Sequence, residues 1–162
     1  PSGVTAVIIR KELTENSPKT IPTMLRYDTH ASTDSLYNTP PTFAVYLLNL
    51  VLRWIKAQGG LTAMETRNVA KAKLIYDAID SSNGFYRGHA DKDSRSLMNV
   101  TFRLPSEELE KMFAAESAAA GMSGLKGHRS VGGLRASIYN AMPLAGCQTL
   151  SDFMKEFCRK HG

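Results

Sequence analysis

Apolar residues run along this chain in several rhythms, and each predicts an element. Val4 to Arg10 is a short Val- and Ile-rich run of the buried-strand type. From Pro18 to Thr39 the periodicity lapses and Ser, Thr, Asn, Asp and Pro dominate, which reads as a long loop. Helical spacing then takes over: Phe43, Tyr46, Leu47, Leu50, Val51 and Trp54 share one face, while Val45, Leu48 and Leu52 make the other side apolar as well. A helix apolar almost all round is buried, or lies at a subunit or domain interface. Thr39 reads as its N-cap and Pro40 as its first residue, and Gln58-Gly59-Gly60 ends it.

A second helix is predicted from the capping box Thr62-Ala63-Met64-Glu65 to about Ser81. Farther on, Leu97 to Leu104 alternates: Met98, Val100, Phe102 and Leu104 point one way, and Asn99, Thr101 and Arg103 the other, the pattern of a half-exposed strand. Ser106 reads as the cap of an Ala-rich helix with acids in its positive first turn, ending by Gly121. A strand from about Gly133 to Tyr139 and a closing helix striped by Leu150, Phe153, Met154, Phe157 and Cys158 complete the chain. Strands with helices on one side make this part an α+β unit. The boundary is placed near Gly59, giving segments 1–58 and 59–162.

Composition narrows the reading only modestly. The 162 residues are enough for a real core, and 43% hydrophobic with 22% charged residues is ordinary for a globular protein. No run approaches the length of a membrane span. Two cysteines, Cys147 and Cys158, are too few for a disulfide framework and lack metal-site spacing, which points to a reducing compartment, the cytoplasm being the expected one, with no metal. The net charge of +5 suits acidic ligands, but the basic residues form no contiguous, aromatic-interleaved stripe of the nucleic-acid-binding kind. The first residues, PSGVTAVIIRKEL, carry neither an initiator Met nor a signal sequence and enter an apolar run at once, so the chain reads as a piece of a longer one.

Candidate chemistry concentrates in LKGHRSVGGLRASIYNAMP, Leu125 to Pro143. Alternation along the strand sends Leu134, Ala136 and Ile138 to the core and Arg135 to the other face. His128 and Arg129 stand on the incoming turn, and Gly132-Gly133 lets the backbone turn and something approach closely. Arginine suits bidentate recognition of carboxylate or phosphate, so the arrangement fits a small molecule with an anion at each end. A non-catalytic dimerisation or interaction fragment, docking through the Phe43 to Ile55 helix, is the alternative.

The strings YNTPPTFAVYLLNLVLRWIKAQGG, RSLMNVTFRL and LKGHRSVGGLRASIYNAMPLAGCQTLSDFMKEF resemble the phosphoserine aminotransferase family, pyridoxal-phosphate enzymes of the type I aminotransferase fold, an α/β class. The resemblance runs from Pro1 to the C-terminus. It implies transfer of an amino group between glutamate and 3-phosphohydroxypyruvate, giving 2-oxoglutarate and O-phosphoserine, in a homodimer with active sites at the subunit interface. It also implies that residues 1–58 are the tail of the large cofactor-binding domain and 59–162 the small domain. By the same resemblance Arg135 grips the substrate α-carboxylate, His128 and Arg129 recognise the phosphate, and Asn38 and Thr39 reach the cofactor phosphate of the partner subunit. Pro40 and Pro41 would remove two backbone donors there, leaving side chains to compensate. The cofactor-bearing lysine is expected immediately upstream of Pro1; Lys11 and Lys126 do not match its position. The ring-stacking aromatic and the aspartate that pairs with the pyridine nitrogen are likewise expected outside the chain. No catalytic residue is therefore assigned within it, and the piece alone is expected to be inactive.

Overall fold

The computed structural model describes residues 3–162, which divide into two compact units between Ala57 and Gln58. In the first, Val4 to Arg10 forms no strand, and Ile8 is fully exposed. The Val/Ile pattern reports a wish to be covered, but a strand exists only where a neighbour supplies the ladder, and none of the described residues does. The stretch from Pro18 to Thr39 is more ordered than a loop. After α1 (Lys11–Glu15) come a 3-10 turn, Thr23–Leu25, and α2 (Tyr27–Ala31). Asp28 ties this segment: its carboxylate accepts from Arg26 Nε at 2.9 Å and from Lys19 Nζ at 2.8 Å, and these two cations hold it far below the usual carboxylate range. Thr33 Oγ1 donates to the carbonyl of Thr29 at 3.0 Å. Turns closed by side-chain bonds need no apolar period, so the sequence pattern does not announce them.

The long helix α3 spans Thr42–Ala57. It starts beyond the expected Thr39 cap: the Thr42 amide donates to Pro40 O at 2.8 Å and Val45 to Pro41 O at 3.0 Å, so Pro41 provides the first helical acceptor. A residue before proline is disfavoured in the α region, and Pro40 precedes Pro41, which delays the helix. No residue of α3 is buried among the described residues, and Phe43 is 72% exposed, so of the two expectations, burial or an interface, burial within this unit is not met.

In the second unit α4 (Gly60–Asp80) opens two residues before the expected capping box, on Gly59 at φ +99 with no side-chain cap. Arg67 reaches back instead, donating to Gln58 Oε1 at 2.8 Å and to the Gln58 carbonyl at 3.1 Å. Three strands, β1 (Arg87–Gly88), β2 (Asn99–Arg103) and β3 (Leu134–Ser137), form an antiparallel sheet in chain order. The register pairs Thr101 with Arg135 and Phe102 with Leu134. Val100, Phe102, Leu134 and Ala136 point into the core as the alternation requires. That core also takes Ile75 from α4, Phe113 from α5 (Glu107–Ala119), and Met154 and Phe157 from α6 (Leu144–His161). Cys147 and Cys158 both lie on α6 as free thiols. Among the described residues no helix is long and apolar enough to cross a membrane.

Two polar details fix this frame. The Ser106 hydroxyl accepts from the Leu109 amide at 3.3 Å, capping α5 where Glu107, Glu108 and Glu110 crowd its first turn. Ser106→Ala is expected to lower stability by about 1 kcal/mol, read as a shift in urea midpoint at unchanged slope. Lys71, fully buried on α4, donates to the carbonyls of Ile138 at 3.0 Å and Tyr139 at 2.7 Å, pinning the exit of β3. Burial pushes its ammonium pKa down.

Candidate anion-binding site

The sequence between β2 and β3 returns on itself through a tight turn. Lys126 bridges to Leu134, and the Gly127 amide donates to Gly133 O at 2.8 Å. At its tip the amides of Val131 and Gly132 both donate to the His128 carbonyl, at 2.9 and 2.8 Å. Gly132 and Gly133 have φ of +74 and +69, a conformation that other residues adopt only with strain. The close approach expected at this pair is made by Arg103: a Cβ on Gly133 would stand 2.5 Å from Arg103 Cδ.

A cleft of about 620 Å³ opens between this turn, the end of β2 and the first half of α5. Its lining brings together Arg103, Lys111, Lys126 and Arg129 with His128, against only two carboxylates, Glu107 and Glu110. Glu110 is already committed, accepting from Arg103 Nε at 2.6 Å and from the Leu104 amide at 3.3 Å. The free charge in the cleft is therefore positive. His128 Nδ1 lies 2.7 Å from Ser130 Oγ and accepts the Ser130 amide at 3.3 Å, which leaves the neutral ring's proton on Nε2 as a donor. A phosphate monoester, with its double charge and several acceptor oxygens, suits this set of donors.

Arg135 stands apart from that cleft. It does not line it, but sits opposite Thr101 on the sheet face turned away from the core. Its Nε is buried with no hydrogen-bond partner among the described residues, so a donor is held ready without a protein acceptor. Asn38 and Thr39 belong to the first unit and are exposed, with Asn38 Nδ2 donating to the Thr39 carbonyl at 3.4 Å. The later start of α3 alters the expectation for the two prolines. They precede the helix, and the amides of Phe43 and Ala44 stay within its first turn as donors.

Sequence reasoning singled out His128 and Arg129 but not Lys111, Lys126 or the Arg103–Glu110 pair that complete the cleft. A signal for Arg103 was present: it lies on the polar face of β2, and antiparallel pairing with β3 carries that end of β2 to the glycine pair.

Comparison with known proteins bears on the family of the chain. The class-V aminotransferase family matches over residues 1–150. Phosphoserine aminotransferase of Lysinibacillus sphaericus is 65% identical over 161 residues, 99% of this chain and 44% of that protein. The enzyme of the same name from Bacillus subtilis is 58% identical over 157 residues, covering 97% of this chain and 44% of that protein. Among solved structures, phosphoserine aminotransferase from Bacillus circulans subsp. alkalophilus superposes with a TM-score of 0.85 at 60% identity, over 95% of this chain and 43% of that one. The pyridoxal-phosphate-bound phosphoserine aminotransferase from Trichomonas vaginalis superposes with a TM-score of 0.81 at 38% identity, over 91% and 42%. This chain thus spans less than half the length of the relatives it matches.

Proposed function

We propose, for a chain that belongs to the class-V aminotransferase family and carries part of its type I pyridoxal-phosphate aminotransferase fold, that it is the substrate-anchoring part of a phosphoserine aminotransferase. The whole enzyme transfers an amino group between glutamate and 3-phosphohydroxypyruvate, giving O-phosphoserine and 2-oxoglutarate, in the cytoplasm and as a homodimer. The observation that carries this reading is the cleft where His128 and Arg129 gather with Lys126 and Lys111 around a site that suits a phosphate. Arg135, with its unpartnered Nε, takes the α-carboxylate. Residues 1–58 belong to the large cofactor-binding domain and 59–162 to the small one, and the exposed apolar surface of α3 supports a role in contacts beyond this segment.

Pyridoxal phosphate fits the donors available on the first unit. The Asn38 amide and the Thr39 hydroxyl are exposed just ahead of α3, and the helix's leading amides are of the kind that meets a phosphate. When bound, the cofactor supplies the electron sink for removing the proton on the substrate's α-carbon. The residues of this chain bind and orient; the lysine that carries the cofactor is assigned to none of its lysines. Lys11 pairs with Glu15 at 3.5 Å on α1, and Lys126 lines the anion cleft.

The two anion sites should separate in the full-length enzyme. Arg129→Ala is expected to weaken O-phosphoserine about ten- to a hundredfold, because a charged donor to a phosphate contributes about 1.5 to 3 kcal/mol, while glutamate, which has no phosphate, loses less. Arg135→Ala should depress both half-reactions, since each substrate brings an α-carboxylate to be held in register. Single-turnover kinetics of the two half-reactions decide the matter. Equal losses for glutamate and phosphoserine in Arg129→Ala would remove the phosphate assignment.

A further inference from the structure

We propose that Arg103 is the positioning residue of the phosphate-binding turn: it fixes where His128 and Arg129 stand relative to the sheet. This rests on the reading that those two residues hold the phosphate. Arg103 is the last residue of β2, on the sheet's open face, and its guanidinium links three elements. Nε donates to Glu110 Oε1 on α5 at 2.6 Å, and Nη1 donates to the Val131 carbonyl at the tip of the turn at 3.0 Å. Its stem lies across the glycine pair, where Gly133 leaves room for Cδ and Gly132 for Nη1.

The anchor behind it is firm. Glu110 is 8% exposed, and the oxygen that accepts Arg103 Nε also accepts the Leu104 amide at 3.3 Å, so the carboxylate is tied to the same stretch of backbone that carries Arg103. The turn has much less support of its own. The two amides donating to the His128 carbonyl and the His128–Ser130 contacts close its tip, and Gly127 pairs with Gly133 at its base; these fix its shape, but none of them ties the tip to β2 or α5 and so sets its tilt against them. The Arg103 to Val131 bond supplies that tilt.

Charge separates this role from that of Arg129. Arg103 is neutralised by a largely buried carboxylate, so its net attraction for a phosphate is small, and what it contributes is geometry. The chemistry also explains why arginine and not lysine stands there. A guanidinium offers Nε and Nη1 in one rigid plane to two acceptors on different elements, whereas an ammonium on a flexible stem serves one well.

The test uses the full-length enzyme with Arg103→Lys, which keeps the charge and gives up the fork. The kcat/KM for O-phosphoserine is expected to fall about tenfold, the equivalent of one charge-assisted hydrogen bond, with a smaller loss for glutamate. In parallel, titration of the variant with inorganic phosphate, followed by NMR at the His128 imidazole and the Val131 and Gly132 amides, should show weakened binding with the rest of the spectrum unmoved. If Arg103→Lys folds poorly, Arg103→Gln puts the same question: its amide nitrogen stands where Nε does, so it keeps a donor for Glu110 and gives up the one that reaches Val131 O. Wild-type phosphate affinity in these variants, or equal losses for both substrates, overturns the proposal. Failure of the underlying reading looks different: there Arg129→Ala itself spares phosphate binding.

Discussion

Phe113→Ala is expected to lower the stability of the second unit by about 3 to 5 kcal/mol, enough to leave much of it unfolded under mild conditions if its total lies near the low end of the usual 5 to 15 kcal/mol. Phe113 is completely buried on α5 and sits at the centre of an aromatic cluster. Its ring meets Phe157 at 5.0 Å, Phe153 at 5.1 Å, Phe102 at 5.8 Å and Tyr86 at 6.1 Å between centroids, each edge to face. These contacts join α5, α6 and the sheet, so no single element can shift to fill the space without losing other packing. The Tyr86 hydroxyl is already tied to the Met154 carbonyl at 2.8 Å, which further limits collapse. Urea denaturation followed by far-ultraviolet circular dichroism measures the effect, and a loss below about 1 kcal/mol would show that the cluster relaxes freely.

Gly133→Ala is the change expected to strike the site hardest for the fewest atoms added. At φ +69 a Cβ brings backbone strain of about 1 to 3 kcal/mol. The new methyl would also lie 3.0 Å from the Phe102 carbonyl and 2.5 Å from Arg103 Cδ, an overpacking that contributes about 1 to 3 kcal/mol more. The arginine stem can yield where the strand carbonyl cannot. Relief therefore comes by swinging Arg103 off the turn, and phosphate recognition should be lost along with stability. Gly132→Ala is the matched control: its φ is similar, but its nearest neighbour is Arg103 Nη1 at 3.5 Å, an ordinary contact. Comparing the two by inorganic phosphate titration isolates the steric part, and equal affinities would contradict the packing account.

The second unit was more legible than the first, and for a physical reason. Strand β2 alternates because one face meets a core within the same unit, so Val100 and Phe102 report their own surroundings. The stripe of α6 and the Ser106 cap are likewise local signals answered by nearby partners. Val4 to Arg10 and α3 carry equally strong apolar patterns, yet their partners are not among the described residues, and a pattern cannot say where its complement lies. The cap of α3 lies two residues later than the pattern predicts and that of α4 three residues earlier, because a proline pair and a glycine pair reset the backbone more strongly than the side-chain caps nearby. Within the site, His128 and Arg129 announce themselves by composition. Arg103 reaches the turn across the sheet from 28 positions away in the chain, and Lys71, a charged residue on α4, is fully buried against the exit of β3. Tertiary geometry decides both.

The pairing of α4 with α6 also bears on the order of events during synthesis. Ser151 on α6 donates to the Leu74 carbonyl on α4, 77 residues earlier, and Tyr86 waits for Met154, 68 residues later. Contacts so distant in sequence form only after a long loop has closed, which slows folding compared with a bundle of neighbouring helices. A ribosome adds about 5 to 20 residues each second, so the β2 strand and the aromatic face of α5 stay uncovered for seconds before Phe157 exists to meet them. During that interval Val100, Phe102 and Phe113 are the surface that a chaperone, or another nascent chain, would encounter first.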